Sequence, residues 1–374
     1  MSSSLIPEYL LMIAGSARMA AQAAACAGLK PLVIDLFADL DTQQYAEAFC
    51  RVPSLAVKHL VPAVDFFIER YAVAYAIYGS GFEYYPESLY YLDKHMTLLG
   101  NSPDTFAGLQ NKQDFFAVLS SLAISYPDTL FNAPEDNEPE DNAHEKPVWL
   151  LKPLQGQGGV GIKVDDGNAD ASVYWQKYQH GTPQSVLFLA DRRSAQVIGF
   201  NTQWTVNSGT GDGFVFSGII NCSAISIEQK ALISRWLAKL VPIFGLRGLN
   251  TMDFIQDDKD IYVLEINPRL SASMQLYDAG LLLGHIRASQ GDMPEYPAVQ
   301  DGCTGYQIIY AEQDMAIPDA FDWPEACMDL PASGVNYRKG QPICSMIARH
   351  KTPRHVLEQL QHKQQQLFKQ LRQV

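Results

Sequence analysis

The first hundred residues carry apolar runs of strand length, each closed by glycine or a charged residue. Leu10 to Ala14 is the first, stopped by Gly15. An alanine-rich stretch from Ser16 to Ala27 follows and stops at Gly28, and Leu32-Val33-Ile34-Asp35 begins the next run. Val73 to Tyr78 is another, closed by Gly79-Ser80-Gly81. Strand, helix, strand with glycine at strand ends predicts a parallel sheet. From Leu109 to Leu122 the apolar positions fall at helical spacing, which predicts a helix with Lys112 near its start. Ala133 to Lys146 is different. It is acidic and lacks periodicity, with Glu135, Asp136, Glu138, Glu140, Asp141 and Glu145, and reads as an exposed loop.

Trp149 to Pro153 and Ile162 to Val164 then predict two strands about a glycine-rich turn. Ser185 to Leu189 and Val197 to Phe200 predict further antiparallel strands, and Ile227 to Leu240 an amphipathic helix. Thr251 to Ile255 and Ile261 to Ile266 form a strand pair about the polar turn Gln256 to Asp260. Beyond Gly302 short strands are punctuated by Trp323, Pro331, Gly334, Gly340 and Pro342. The last stretch, Thr352 to Val374, places Val356, Leu360, Leu367 and Leu371 on one helical face, with Thr352 as N-cap and Pro353 at the first helical position.

Composition narrows the function classes. A chain of 374 residues exceeds one ordinary core, and 47% hydrophobic with 18% charged residues is the balance of a folded globular protein. A net charge of −13 argues against a nucleic-acid binder held by phosphate contacts, though not against a local phosphate site. Cys26, Cys50, Cys222, Cys303, Cys327 and Cys344 are scattered without zinc spacing and read as reduced thiols of the cytoplasm. Leu10 to Ala27 lacks a basic start and is interrupted by Arg18 and Gln22, so it fits neither a signal peptide nor a membrane span. Asp35 stands about 20 residues past Gly15, the distance of a ribose-binding acid, but the GxGxxG fingerprint of dinucleotide folds is missing. No GxSxG is present, and the eight histidines stand in no motif; His180 and His285 are the two near the chemistry below.

Two segments carry that chemistry. In Lys152-Pro153-Leu154-Gln155-Gly156-Gln157-Gly158-Gly159-Val160-Gly161, four glycines let the backbone approach a bulky anion and aim N–H groups at it, with Lys152 as a point charge for phosphate oxygens. It is not a Walker A loop. About a hundred residues on come Met252-Asp253-Phe254 and Val263-Leu264-Glu265-Ile266-Asn267-Pro268-Arg269. Strand alternation puts Glu265, Asn267 and Arg269 on one face, with Leu264 and Ile266 on the other. Asp253 in the partner strand meets Glu265 across the hairpin. Two carboxylates and an amide oxygen are hard ligands suited to magnesium, and Arg269 offers a planar fork for phosphate or carboxylate.

In this order the segments resemble the ATP-grasp superfamily. The resemblance implies an α/β fold in three parts: an N-terminal parallel α/β domain over 1–108, a two-lobed grasp domain over 109–295 with its lobes joined near 173–183, and a small β-rich module with a terminal helix over 296–374. It implies ATP with magnesium, or manganese in its place. Lys112 and Lys152 match the family's phosphate-contacting lysines, and Gly156, Gly158 and Gly159 its mobile loop. Gln176 and the backbone near Tyr178, in Val173-Tyr174-Trp175-Gln176-Lys177-Tyr178, match the adenine-binding segment. Asp253, Glu265 and Asn267 match the magnesium ligands and Arg269 the active-site arginine. Gly181-Thr182-Pro183-Gln184 lacks the acid that many members use for the ribose.

Gly15 to Ala20, Asp35 to Thr42, Asp329-Leu330-Pro331 and Gly340-Gln341-Pro342 look like a biotin-carboxylase-related subgroup that includes the tyramine–glutamate ligases of methanofuran-type cofactor synthesis. The implied activity is an ADP-forming carboxylate–amine ligase acting through an acyl phosphate on small-molecule substrates, in a cytoplasmic protein and a possible homodimer. A bicarbonate-using carboxylase and a non-catalytic ATP-binding module are the alternatives. Ser271, Ser273, Tyr277 and Asp278 are further candidates for the substrate pocket.

Overall fold

The computed structural model describes residues 6–134, 147–207, 213–277, 280–296 and 302–372. The expected acidic loop at 133–146 and Asp278 lie largely or wholly outside them. The N-terminal region alternates strand and helix: β1 (Tyr9–Ile13), α1 (Arg18–Cys26), β2 (Lys30–Asp35), α2 (Leu40–Tyr45), β3 (Ala48–Arg51), α3 (Val57–Tyr71), β4 (Tyr75–Tyr78), α4 (Pro86–His95) and β5 (Thr97–Leu98). The five strands are parallel in the order β3-β2-β1-β4-β5. Strand order reverses between β1 and β4, so a crevice forms beyond their C-terminal ends. The chain there runs through Gly15 and through Gly79-Ser80-Gly81, where the Gly15 N–H donates to the Ser80 carbonyl at 2.7 Å.

The single helix expected over 109–122 is two: α5 (Pro103–Gln110) and α6 (Lys112–Ser121). Asn111 breaks the path with a ψ of 90°, and its side chain accepts from the Asp114 N–H to cap α6. The break puts Lys112 at the very start of α6. A four-stranded sheet follows, ordered β6-β9-β7-β8, from β6 (Thr129–Leu130), β7 (Trp149–Pro153), β8 (Lys163–Val164) and β9 (Val173–Lys177).

Residues 178–181 lead from this small sheet into a large one. It is built from β10 (Thr182–Asp191), β11 (Ala195–Val206), β12 (Val215–Ile220), β13 (Arg247–Gln256) and β14 (Ile261–Asn267). The long helix α7 (Ile227–Phe244) packs Ile233, Trp236, Leu237 and Leu240 into the core shared by α6 and this sheet. A capping box starts it, with Ser226 and Gln229 each bonding the other's backbone. After α8 (Leu281–Ser289), the chain gives β15 (Cys303–Tyr310), β16 (Met315–Ala316), β17 (Cys327–Met328), β18 (Asn336–Tyr337), β19 (Pro342–His350) and α9 (Pro353–Leu371). β16 and β18 form a separate ribbon, but β15, β19 and β17 extend the large sheet to eight strands, β14-β13-β10-β11-β12-β15-β19-β17.

Two local readings change. Thr352 occupies the N-cap of α9 but its hydroxyl bonds to His355 rather than to the helix backbone. Cys222 and Cys303, read as reduced thiols, are joined by a disulfide that ties the end of β12 to β15. Among the described residues no helix is long and apolar enough to cross a membrane.

The candidate active site

The hairpin β13–β14 pairs Asp253 with Glu265 directly across the strands, as the alternation requires. The register shifts beside this pair, and Leu264 is the extra residue. This bulge corrects the expected alternation: Val263 and Ile266 both reach the core while Leu264 does not join it. Glu265 and Asn267 still share the polar face. The Asn267 amide donates to Asp253 Oδ2 at 2.8 Å and lies 3.5 Å from Glu265 Oε1, while Gln203 Nε2 donates to Asp253 Oδ1 at 3.1 Å.

Both lysines face this hairpin. Lys112 Nζ, from the start of α6, donates to Glu265 Oε2 at 3.1 Å. Lys152 Nζ, from β7, donates to Gln176 Oε1 at 2.9 Å, and Gln176 passes a bond on to Thr129. Burial pushes the Lys152 ammonium down to about 8, with Lys112 adding to the effect. Burial also raises the Asp253 carboxyl, and the neighbouring Glu265 charge raises it further. Burial acts on Glu265 in the same sense, but Lys112 and Lys152 outweigh it and hold that carboxyl low. The pair therefore splits into one firmly ionised acid and one that is easily protonated.

Arg269 is buried with a partner that its own segment does not reveal. Its Nε donates to Glu83 Oε1 at 2.6 Å, and the other Glu83 oxygen accepts from the Gly81 N–H at 2.7 Å. Arg269 also donates to Asn267 Oδ1 at 3.1 Å. Glu83 is 2% exposed and sits at the crevice of the parallel sheet, so the N-terminal domain holds the arginine. Neither Glu83 nor Gln203 stands in a motif of the sequence. A turn of the form Gly81-Phe82-Glu83 beyond a parallel strand is the one signal for Glu83, and Gln203 has none.

The glycine-rich loop touches the large sheet. The Phe216 N–H on β12 donates to the Gly158 carbonyl at 2.9 Å. Gly159 has φ +76°, and a Cβ there would stand 2.0 Å from the Phe214 carbonyl oxygen. No side chain fits. Gly158, at φ +63°, has open space around it. Gly159→Val is therefore expected to lift the loop from β12 and speed proteolysis within 155–162, while Gly158→Asn leaves cleavage near the wild-type rate. Asparagine tolerates the left-handed region, so the pair separates collision from backbone strain. Equal cleavage of both variants would deny the docked contact.

Where β9 leads into β10, Gln176 is buried and committed to Lys152 and Thr129. The Tyr178 N–H is already given to the Val148 carbonyl at 2.7 Å, so at this residue the main-chain carbonyl is the group left for a ligand. His180 packs edge-on against the Tyr178 ring. Gln157 Oε1, in the glycine loop, is buried with no donor among the described residues. A cavity of about 820 Å³ opens beside Lys112 and Glu83, walled by Phe131, Val173 and Trp175.

His285 is not in this site. Its Nδ1 accepts from the Leu249 N–H at 2.8 Å and its Nε2 bonds the Leu99 carbonyl at 2.8 Å, which makes it a buried neutral clamp between β13 and the segment after β5. Burial pushes it down to about 4 from an ordinary 6.5. The unfolded chain binds the extra proton first, so this clamp loses stability as pH falls below about 6.5, levelling off below about 4. Between pH 7 and 5 its share is about 2 kcal/mol. Urea unfolding at both values should show a drop that His285→Gln reduces by that amount. Ser271 and Ser273 bond each other, and Tyr277 bonds Asn201 within the sheet.

The segments 15–20, 35–42 and 329–331 converge. Arg18 Nε donates to Asp329 Oδ1 at 3.1 Å, and Asp41 accepts from the Asp329 and Leu330 N–H groups at 2.9 Å. Burial, with the Asp329, Asp35 and Asp41 charges, pushes Asp39 up to about 8.

Residues 109–273 match the ATP-grasp domain family. Over that segment the chain is similar to ATP-grasp domains. It is 23% identical over 269 residues to an uncharacterized protein of Methanocaldococcus jannaschii, covering 67% of this chain and 64% of that protein. It is 28% identical over 145 residues to a carbamoyl-phosphate synthase of Methanobrevibacter smithii, covering 36% of this chain and 39% of the relative. The chain thus spans less than two thirds of either relative's length. A solved complex of Campylobacter jejuni biotin carboxylase superposes with a TM-score of 0.72 at 16% identity, over 94% of this chain and 89% of that one. At that identity the likeness is one of fold. Around the ATP-grasp domain, the parallel sheet and the C-terminal strands complete it.

Proposed function

We propose that the chain is an ATP-dependent, ADP-forming ligase that activates a carboxylate as an acyl phosphate and passes the acyl group to an amine. One observation carries the reading: Asp253, Glu265 and Asn267 meet on one hairpin face within reach of Lys112, with Arg269 at its end. We propose three domains, 1–108, 109–295 and 296–374.

The residues fit magnesium. Among the described residues there is no cage of three His, Cys, Asp or Glu side chains. Two carboxylates and an amide suit an ion that keeps water and phosphate oxygens as its other ligands. Burial and the adjacent Glu265 charge both raise the Asp253 acid, and a cation shared by the two carboxylates would offset that repulsion. Lys112 stands in for part of that charge. For metal binding the Asn267 amide must turn its oxygen away from Arg269 and toward the carboxylates. A bound magnesium ion supplies charge neutralisation of the triphosphate; manganese is the expected substitute.

In the reaction, Lys112 releases Glu265 and holds phosphate oxygens together with Lys152. Gln176 keeps Lys152 oriented, and the Tyr178 carbonyl accepts from adenine. A carboxylate oxygen attacks the γ-phosphorus and ADP leaves. The amine nitrogen then attacks the acyl carbon, phosphate leaves, and the nitrogen loses its proton. Arg269, held by Glu83, stabilises the carboxylate and the tetrahedral oxyanion. The docked loop at Gly156, Gly158 and Gly159 excludes water from the acyl phosphate.

The finer reading is that the acid is glutamate and the acceptor an aromatic amine, in one-carbon cofactor synthesis. We assign the enzyme to the cytoplasm, acting on small molecules without nucleic acid, as a homodimer that light scattering would detect. A fold likeness to the biotin carboxylase domain of a Hydrogenobacter thermophilus 2-oxoglutarate carboxylase, solved with bicarbonate, supports a second reading in which bicarbonate is the acid. ADP release measured with ATP, magnesium and L-glutamate, with and without tyramine, and in parallel with bicarbonate, separates them. Release that needs glutamate and amine together supports the ligase; release with bicarbonate alone replaces it with carboxylation. ATP binding without ADP from a wide acid and amine panel would leave a non-catalytic module.

A further inference from the structure

We propose a second anion site, remote from the nucleotide site, that takes a phosphate group, either free phosphate or a phosphate ester. It is a cavity of about 370 Å³ lined by Asp191, Arg192, Arg193, Arg247, Ser289 and Gln290. Three arginines and one aspartate among the lining residues give a formal excess of two positive charges, on a chain whose net charge is −13.

The geometry brings the three arginines together from two places in the fold. Asp191 ends β10 and pairs in register with Arg247 at the start of β13. Arg192 and Arg193 form the turn to β11, and the C-terminal end of α8 closes the third side. The one acid does not neutralise them. Asp191 Oδ1 accepts from the Arg193 N–H at 3.0 Å, the Ser194 N–H at 2.7 Å and the Ser194 hydroxyl at 3.1 Å, so it is spent on the turn. Among the described residues none of the three guanidiniums has a hydrogen-bond or ion-pair partner. Elsewhere the acidic chain pairs arginines readily, as at Arg18, Arg287 and Arg354.

Arg192 is held at φ +76°, a conformation that non-glycine residues seldom adopt, by its N–H bond to the Leu246 carbonyl at 2.7 Å. Like charges gathered at a concave surface repel, and an anion offsets that repulsion. Guanidinium forks match the tetrahedral oxygens of a phosphate in pairs, which favours phosphate over a point-like anion such as chloride. The backbone of Arg247 is gripped on both its N–H and its carbonyl by Asn101, which also donates to the Pro268 carbonyl next to Arg269. The site therefore rests on the same scaffold as the active centre.

The test is isothermal titration calorimetry on the full chain, saturated with magnesium and ADP so that the nucleotide site is filled, at fixed ionic strength. The probes are inorganic phosphate and ribose 5-phosphate. Saturable binding of at least one is expected. The double variant Arg192→Gln, Arg193→Gln should weaken it about tenfold or more, and Arg247→Lys, which keeps charge but loses the fork, should weaken it by less. ADP affinity should not change in either variant. Tighter binding of the sugar phosphate identifies an ester as the ligand, and equal binding identifies free phosphate. No saturable heat, or heat unchanged in the double variant, would overturn the proposal.

Discussion

Arg269→Ala is expected to lower turnover by about 100-fold or more while nucleotide binding persists. The arginine touches neither lysine, and its partners are Glu83, Asn267 and a neighbouring carbonyl. Its loss therefore removes stabilisation of the acyl group and spares the phosphates. The same change has a second effect. Glu83 is left buried without its counter-charge, and breaking a buried pair from one side costs about 3–5 kcal/mol of stability. The double variant Arg269→Ala, Glu83→Gln removes the stranded charge. It should recover most of the stability and none of the turnover. Urea unfolding and ADP release, measured on the single and double variants, separate the two effects. Near-normal turnover in the single variant would take Arg269 out of the mechanism.

Glu265→Gln is expected to abolish magnesium-dependent ADP formation, by about two to three orders of magnitude. Glu265 is the acid that stays ionised, and both lysines stabilise its charge. Removing it leaves Lys112 and Lys152 facing each other with less negative charge between them. Asp253 also loses the neighbouring charge that adds to the effect of burial, and becomes easier to ionise. One carboxylate then remains for the cation. Raising magnesium should recover part of the rate if the defect is metal affinity. A variant that turns over like wild type at ordinary magnesium would sink the metal assignment.

The parts of this site that lie within one hairpin were legible from the chain. Asp253 and Glu265 are twelve positions apart around a polar turn, so strand pairing alone brings them together. Parity was less secure. The bulge at Leu264 depends on how the hairpin packs on its core, and alternation cannot reveal it. Glu83 was illegible for a different reason: 186 positions separate it from Arg269, and only the packing of the parallel sheet on the grasp domain unites them. Gln203 likewise comes from β11, which shares no direct pairing with β13. The break at Asn111 could have been suspected, since asparagine is a common helix cap, but the apolar spacing runs through it.

β12 has three attachments: β11 on one side, β15 on the other, and the glycine loop beside its start. During synthesis on the ribosome, β12 emerges more than eighty residues before β15 does. Until then it has an unpaired edge, and the disulfide partner of Cys222 has not been made. The glycine loop, the proposed lid, thus docks on a strand that the last part of the described chain completes. A nascent chain stalled near residue 290 would carry every proposed phosphate and metal ligand, yet its lid would rest on an unfinished edge.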